Sequence, residues 1–171
     1  MKKANELRQE IIENALYRLD ESTRMIRSSL SFLQEEDIWK KPNPNSNSVG
    51  NLILHLCGNM HQYVLAALGN TEDIRERDSE FSSEPGLSSS ALIDMLQRKV
   101  DKVKETISSC TLKNMLFRRK VQGFNLSGAG IIMHVVEHYS YHTGQIAYWT
   151  KILKDQDLGF YDGIDLTTKN N

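Results

Sequence analysis

Apolar residues recur every three or four positions along four long stretches of the chain, a pattern typical of amphipathic helices. The first stretch covers about residues 4–33, contains neither proline nor glycine, and carries its apolar residues at Leu7, Ile11, Ala15, Leu19, Ile26, Leu30 and Leu33. The others cover about residues 49–68, 88–110 and 127–153. Since no segment shows the alternation of a strand, we predict an all-α fold, an up-and-down four-helix bundle.

Residues that favour turns separate the predicted helices. The segment before the second helix contains Pro42 and Pro44, and Ser48 at its end is a candidate N-cap. Residues 70–90 are polar and acidic, which predicts a flexible connector. Residues 111–125 fit either an extended crossover or a short helix, and a tail around residues 159–163 is expected to be non-helical.

Composition narrows the class of protein. The 171 residues are 39% hydrophobic and 25% charged with a net charge of −1, which predicts a single domain over residues 1–171. The absence of a basic excess argues against a nucleic-acid partner. Cys57 and Cys110 have no metal-binding or redox spacing, and the N-terminal residues do not resemble a signal peptide. We therefore expect a cytoplasmic protein with reduced thiols and no membrane span.

The five histidines fall in two of the predicted helices, a clustering that suggests a metal site. In the fourth helix His134, His138 and His142 are spaced by four residues, so neighbouring members of the series lie one turn apart and can share an ion. The outer two are about 12 Å apart along the helix axis and cannot. On a helical wheel His138 and His142 project into the apolar stripe while His134 lies further out. The alternative is that these histidines are core or cap residues bonded to carbonyls or water.

The second helix offers two further candidates, His55 and His61. They point about 120° apart, so at most one can bind the same ion. The apolar periodicity slightly favours His61, which lies near the edge of the stripe. Two polar residues of the fourth helix, Glu137 and Gln145, are candidates for fixing the rings or a bound water.

Two segments together resemble the DinB/YfiT-like metalloenzyme superfamily. They are His55-Leu56-Cys57-Gly58-Asn59 and His138-x-x-x-His142-x-Gly144-Gln145-Ile146, and the loop with Trp39, Lys41-Pro42 and Asn47-Ser48-Val49 is similar to the family's lead-in to its first ligand. The resemblance implies a four-helix bundle that holds a divalent ion, nickel or zinc, through His55, His138 and His142. It thereby favours His55 over His61.

The resemblance also implies a range of functions. Some members of the superfamily are thiol-dependent S-transferases, which would use a low-molecular-weight thiol as cosubstrate and a small-molecule electrophile as substrate. A metal-dependent hydrolase is an alternative, with Glu137 as base, although its position about 100° from His138 on the wheel argues against that role. A third possibility is a non-catalytic stress or interaction protein with a structural metal. Homodimers are common in the family, and the resemblance assigns no catalytic residue.

Overall fold

The computed structural model describes residues 2–82 and 86–170. Four of its helices are long, and the second of them continues through a π-helical segment, His61–Leu68. In chain order the elements are α1 (Lys2–Ser31), α2 (Glu35–Ile38), α3 (Val49–Met60), the π-helical segment, α4 (Arg77–Ser82), α5 (Ser89–Ser108), α6 (Leu112–Leu116), β1 (Arg118–Val121), β2 (Phe124–Ser127) and α7 (Gly128–Lys154).

The long helices bury the apolar positions that their periodicity predicts. On α1 the buried residues include Ile12, Leu19 and Ile26, each seven positions from the next, so they lie on one face. That face packs against α7, where the Thr23 hydroxyl meets the Tyr139 hydroxyl at 2.8 Å. The helical class predicted from the sequence is confirmed for the main body of the chain.

Hydroxyl side chains cap the N-termini of four helices. The side chains of Ser48, Ser88, Thr111 and Ser127 each accept a hydrogen bond from the backbone N–H three residues later, which satisfies a donor that the helix itself cannot pair. The prediction of Ser48 as an N-cap is therefore confirmed. Beside it, Trp39 lies against Gly50, where a Cβ would come within 2.8 Å of the indole ring.

The neighbours of each long helix define the order of the core. Helix α1 packs against α5 and α7, and α3 packs against the same two helices. The order around the core is therefore α1, α5, α3, α7, with α1 and α3 on opposite sides. This differs from the predicted up-and-down bundle, in which successive helices are neighbours. The connections over residues 32–48 and 109–127 are long enough to cross the end of the bundle, which makes the diagonal order possible.

A small β-hairpin departs from the all-α prediction. Strands β1 and β2 pair in antiparallel register, with Val121 opposite Phe124. Gln122 and Gly123 join them with φ values of 47° and 82°, the left-handed pair that a two-residue hairpin turn needs. Residues 111–125, for which the sequence left two possibilities open, thus contain both a short helix and extended chain.

The predicted connector at residues 70–90 contains structure of its own. Helix α4 lies within it and packs against α3, and its Glu80 is buried. The sequence analysis predicted a flexible connector here and did not predict this helix, and residues 83–85 lie outside the described residues. The tail is non-helical at residues 159–163, as expected. Among the described helices, none has the length and apolar character needed to cross a membrane.

Candidate metal centre

Three histidines from two packed helices converge at one point of the core. His55 projects from α3, and His138 and His142 project from successive turns of α7. Each offers a ring nitrogen, and the three nitrogens lie within 4.8 Å of one another. The closest pair is Nε2 of His55 and Nε2 of His138, 3.0 Å apart. The structure thus brings together the three residues that the resemblance singled out.

A buried carboxylate contacts the ring of His55. Nδ1 of His55 lies 2.8 Å from Oε2 of Glu80, and the Glu80 carboxylate also accepts hydrogen bonds from Arg75, Nε to Oε1 at 2.7 Å and Nη2 to Oε2 at 2.9 Å. Nη2 of Arg75 also lies 3.2 Å from Nδ1 of His55, but the shorter contact of Nδ1 is to the carboxylate, which only accepts hydrogen bonds, so Nδ1 carries the proton in that contact. Nε2 is then left with its lone pair facing the other histidines.

The side chain of Gln145 makes the corresponding contact to the ring of His142. Its Oε1 lies 2.7 Å from Nδ1 of His142, one turn along the same helix. An amide oxygen accepts, so Nδ1 donates and Nε2 of His142 keeps the lone pair. The sequence prediction that Gln145 fixes a ring agrees with this contact. Two of the three imidazoles are therefore held in the tautomer that suits a metal ligand.

Burial keeps the histidines of α7 neutral. Burial, assisted by His142 and His55, lowers the pKa of His138 to about 3, and burial also lowers the pKa of His142. For Glu80, burial acts to raise the pKa, but the hydrogen bonds from Arg75 and His55 lower it below its usual value. Neutral imidazoles offer lone pairs to a cation without competition from protons.

The donor set fits a divalent transition metal. Imidazole nitrogens bind zinc at about 2.0–2.1 Å, which places two tetrahedral ligands roughly 3.3 Å apart. The 3.0 Å between His55 and His138 is close to that separation, and all three nitrogens lie within 4.8 Å of one another, so small side-chain movements would bring them to ligand distances. Three protein ligands leave at least one coordination position for water or substrate, as in catalytic rather than structural zinc sites.

His61, the alternative candidate on the second helix, lies outside this group. Its Nε2 is 3.0 Å from the carbonyl oxygen of Glu72, and its Nδ1 is 3.4 Å from Nζ of Lys99. His61 is the first residue of the π-helical segment. A π-helix has a wider turn, so a helical wheel drawn at 100° per residue does not predict the direction of its side chains. The slight preference of the periodicity for His61 does not agree with this geometry.

The other two polar candidates of α7 lie around the site without joining it. His134 stacks on the ring of Tyr63 with centroids 4.1 Å apart, and its own centroid is 5.6 Å from that of His138. Glu137 is exposed and lines a groove with Arg18 of α1. Glu137 is therefore not placed to act as a base at the three histidines.

A cleft of about 430 Å³ adjoins the site through Gln145. Its walls come from the loop with Pro42 and Asn47, from Leu52 of α3 and from the face of α7 with Trp149, and the residues that line it carry no charge. Gln145, which also bonds to His142, is the residue that connects this cleft to the candidate metal centre. It is large enough for a small molecule.

Sequence reasoning missed Arg75 and Glu80. Both lie in the connector, whose polar and acidic composition suggested a solvated linker, yet their side chains are only 2% and 7% exposed. The one signal in the sequence is Gly58 in the middle of a helix, since an internal glycine lowers helix stability and so calls for a packing reason.

The fold and the site define a class, a helical DinB-like protein with a three-histidine cluster. A family model described as "Protein of unknown function (DUF1572)" matches residues 6–161, and the chain belongs to this family, which is DinB-like. The resemblance inferred from the sequence is confirmed.

Solved structures agree with this fold at low sequence identity. A DinB-like protein from Bacillus cereus ATCC 10987 is 15% identical with a TM-score of 0.66, over 85% of this chain and 91% of that one. A conserved protein from Enterococcus faecalis is 14% identical with a TM-score of 0.72, over 84% and 97%. A DinB-like protein from Bacillus subtilis is 14% identical with a TM-score of 0.62, over 84% and 91%. No curated protein matches the chain.

Proposed function

We propose that this protein is a divalent-metal-dependent enzyme in which His55, His138 and His142 hold one ion, nickel or zinc, and that it transfers a low-molecular-weight thiol to a small electrophile. One observation carries the proposal. The three imidazoles converge, and Glu80 and Gln145 hold two of them with Nε2 facing inward. Such orienting contacts are typical of metal-ligating histidines.

The chemistry follows from the ion's open coordination positions. A divalent ion bound by three neutral imidazoles lowers the pKa of a thiol or water that binds beside them. In the proposed reaction the thiol sulfur forms a bond to an electrophilic carbon, the bond from that carbon to the leaving group breaks, and the thiol proton is released. The uncharged cleft beside Gln145 fits a neutral electrophile better than an ionic one.

The chain's own cysteines favour an external thiol. Burial raises the pKa of Cys57 to about 12 and also raises the pKa of Cys110. Both thiols therefore stay protonated near neutral pH and are poor nucleophiles. The nucleophile in a thiol transfer would have to come from a cosubstrate.

Metal-assisted hydrolysis is the second candidate, and it ranks lower because it needs a base. Glu137 is exposed on another face of α7, and the carboxylate of Glu80 is already engaged by Arg75 and His55. The third candidate is a non-catalytic stress or interaction protein with a structural metal.

A cytoplasmic location and a homodimer remain predictions. The dimer is tested by size-exclusion chromatography with light scattering.

The first experiment measures bound metal. The purified protein is analysed for metal content beside His138→Ala and His142→Ala, with His61→Ala as the matched control because its nitrogens pair outside the cluster. We expect about one nickel or zinc ion per chain in the wild type and the control, and a loss in the other two variants. A wild type that stays metal-free after reconstitution would overturn the proposal.

The second experiment separates the reactions. Glutathione or bacillithiol is mixed with monobromobimane, with and without the loaded protein, and the loss of both reagents is followed. Thiol transfer predicts metal-dependent loss of both. Turnover of ester substrates without any thiol would favour hydrolysis, and neither activity, with a melting temperature that falls on metal removal, would favour a structural ion.

A further inference from the structure

Gly58 makes a notch in the surface of α3. A Cβ built at this position would overlap Oε1 of Glu80 and would lie 2.8 Å from its Cδ. It would also come within 3.1 Å of Nε of Arg75. A carboxyl carbon cannot approach a Cβ so closely, so the carboxylate of Glu80 occupies space that exists only because residue 58 has no side chain.

The carboxylate seated in this notch bonds to His55 of α3 and to Arg75 of the loop before α4. Oε2 receives Nδ1–H of His55 at 2.8 Å, and Arg75 donates to both carboxylate oxygens. Nη1 of Arg75 donates in turn to Oε1 of Gln62 at 2.9 Å. The ion pair is thus tied to α4, to the preceding loop and to the π-helical segment. Gly58 lies three residues after His55, on the same side of α3.

We propose that Glu80, seated in the notch at Gly58 and clamped by Arg75, is the residue that positions His55 for the ion. The inference rests on the metal centre proposed above. Because an ionised carboxylate can only accept, it holds His55 as the Nδ1–H tautomer and turns Nε2 toward His138, 3.0 Å away. Arg75 donates to both carboxylate oxygens, and Glu80 is not one of the three residues whose ligand atoms converge, so it acts as an orienting group and not a ligand.

A purely structural ion pair makes a different prediction. If Arg75 and Glu80 only stabilise α4 against α3, their loss changes the stability of the fold but leaves the tautomer of His55 and the affinity for metal as they were. If Glu80 positions His55, both properties change. Loss of a carboxylate that orients a metal-ligating histidine typically weakens metal binding about 10–100-fold.

The test compares two glycine substitutions. Gly58→Ala fills the notch, while Gly144→Ala adds the same methyl group to an exposed position of α7 with no other group within 4 Å of the new Cβ. Glu80→Met removes both acceptor oxygens and keeps an unbranched side chain of similar length. The dissociation constant for Zn²⁺ is measured by competition with a chromogenic chelator, on variants whose circular dichroism spectra match the wild type. The tautomer of His55 is read from ¹H–¹⁵N spectra of the imidazole ring in the metal-free protein.

We expect the dissociation constant to rise about 10–100-fold in Gly58→Ala and Glu80→Met and to change less than about threefold in Gly144→Ala. We also expect His55 to lose its Nδ1–H tautomer in the first two variants only. If one of these two variants does not fold, the other decides. Wild-type affinity and tautomer in a folded Glu80→Met would refute the positioning role and leave the metal centre intact, whereas a wild type that binds no Zn²⁺ would refute both.

Discussion

Replacing Arg75 with methionine tests the energetics of the buried ion pair. Methionine keeps an unbranched chain but removes both hydrogen bonds to Glu80. The carboxylate, only 7% exposed, then keeps His55 as its remaining side-chain partner without a compensating charge. Breaking a buried ion pair on one side typically costs about 3–5 kcal/mol, because the charge that stays is neither solvated nor neutralised.

The expected size of the effect is large for one substitution. In a protein of 171 residues each kcal/mol of unfolding free energy shifts the melting temperature by roughly 2–4 °C, so Arg75→Met should lower it by about 6–20 °C. Removing the second charge as well, in Arg75→Met/Glu80→Gln, should recover at least half of that loss, because no buried charge is left unpaired.

The assay is urea unfolding of the metal-free protein at pH 7, followed by circular dichroism. Arg24→Met is the matched control, since Arg24 forms an ion pair with Glu21 but its side chain is 45% exposed. Exposed pairs contribute about 0–1 kcal/mol. If Arg75→Met costs no more than Arg24→Met, or if the double variant loses as much as the two single variants added together, the reasoning about a coupled buried pair is refuted.

Three further outcomes follow from contacts elsewhere in the molecule. Nζ of Lys154 lies 2.6 Å from the carboxylate of Asp37, which also accepts a hydrogen bond from the backbone N–H of Gln34. Both contacts lower the pKa of Asp37 below its usual value of 3.8. The stabilisation is therefore present above pH 3.8 and is lost as the pH falls through the lower pKa of the folded state. Asp37→Asn should therefore lower the unfolding free energy by about 1.5–3 kcal/mol at pH 7 and by less as the pH falls below 3.8, as measured by urea titration at pH 7 and at pH 3. Tyr139→Phe removes the 2.8 Å hydrogen bond to Thr23 and should cost about 1 kcal/mol in the same assay; a loss above about 3 kcal/mol would mean that the hydroxyl does more than this. Zn²⁺ at 100 times its dissociation constant should stabilise the chelator-treated protein by about 2.7 kcal/mol. A melting temperature that does not change when Zn²⁺ is added would contradict the metal centre.

The long helices could be predicted because their apolar periodicity extends over many turns. The hairpin and the order of the helices could not be predicted from local patterns. The third and fourth predicted helices, at residues 88–110 and 127–153, match α5 and α7 within two residues at each end. Each has a hydroxyl N-cap and many turns of consistent pattern. The hairpin has only four residues per strand, too few to show a period. The diagonal order of the helices depends on contacts between distant parts of the chain, which no local pattern encodes.

The candidate site divides in the same way. His138 and His142 are recognisable from their spacing alone, because a turn of helix brings such a pair together. His55 could not be chosen by periodicity. Helix α3 contacts α4, α5 and α7, so most of its circumference is buried and a wheel shows no contrast between an inner and an outer face. The family resemblance selected His55 where the physical pattern favoured its neighbour.

The partners of His55 show why a polar linker can hide part of a site. Arg75 and Glu80 are typical residues of a solvated connector, and only tertiary packing turns them into a buried pair. The sequence feature that is connected with this buried pair is Gly58. A glycine inside a helix lowers helix stability by about 1 kcal/mol relative to alanine. That cost persists because a side chain there would expel the carboxylate. It follows that a related chain with a larger residue at the position of Gly58 cannot seat a carboxylate in this way. Its first histidine must be oriented by a different group, or its affinity for the ion must be lower.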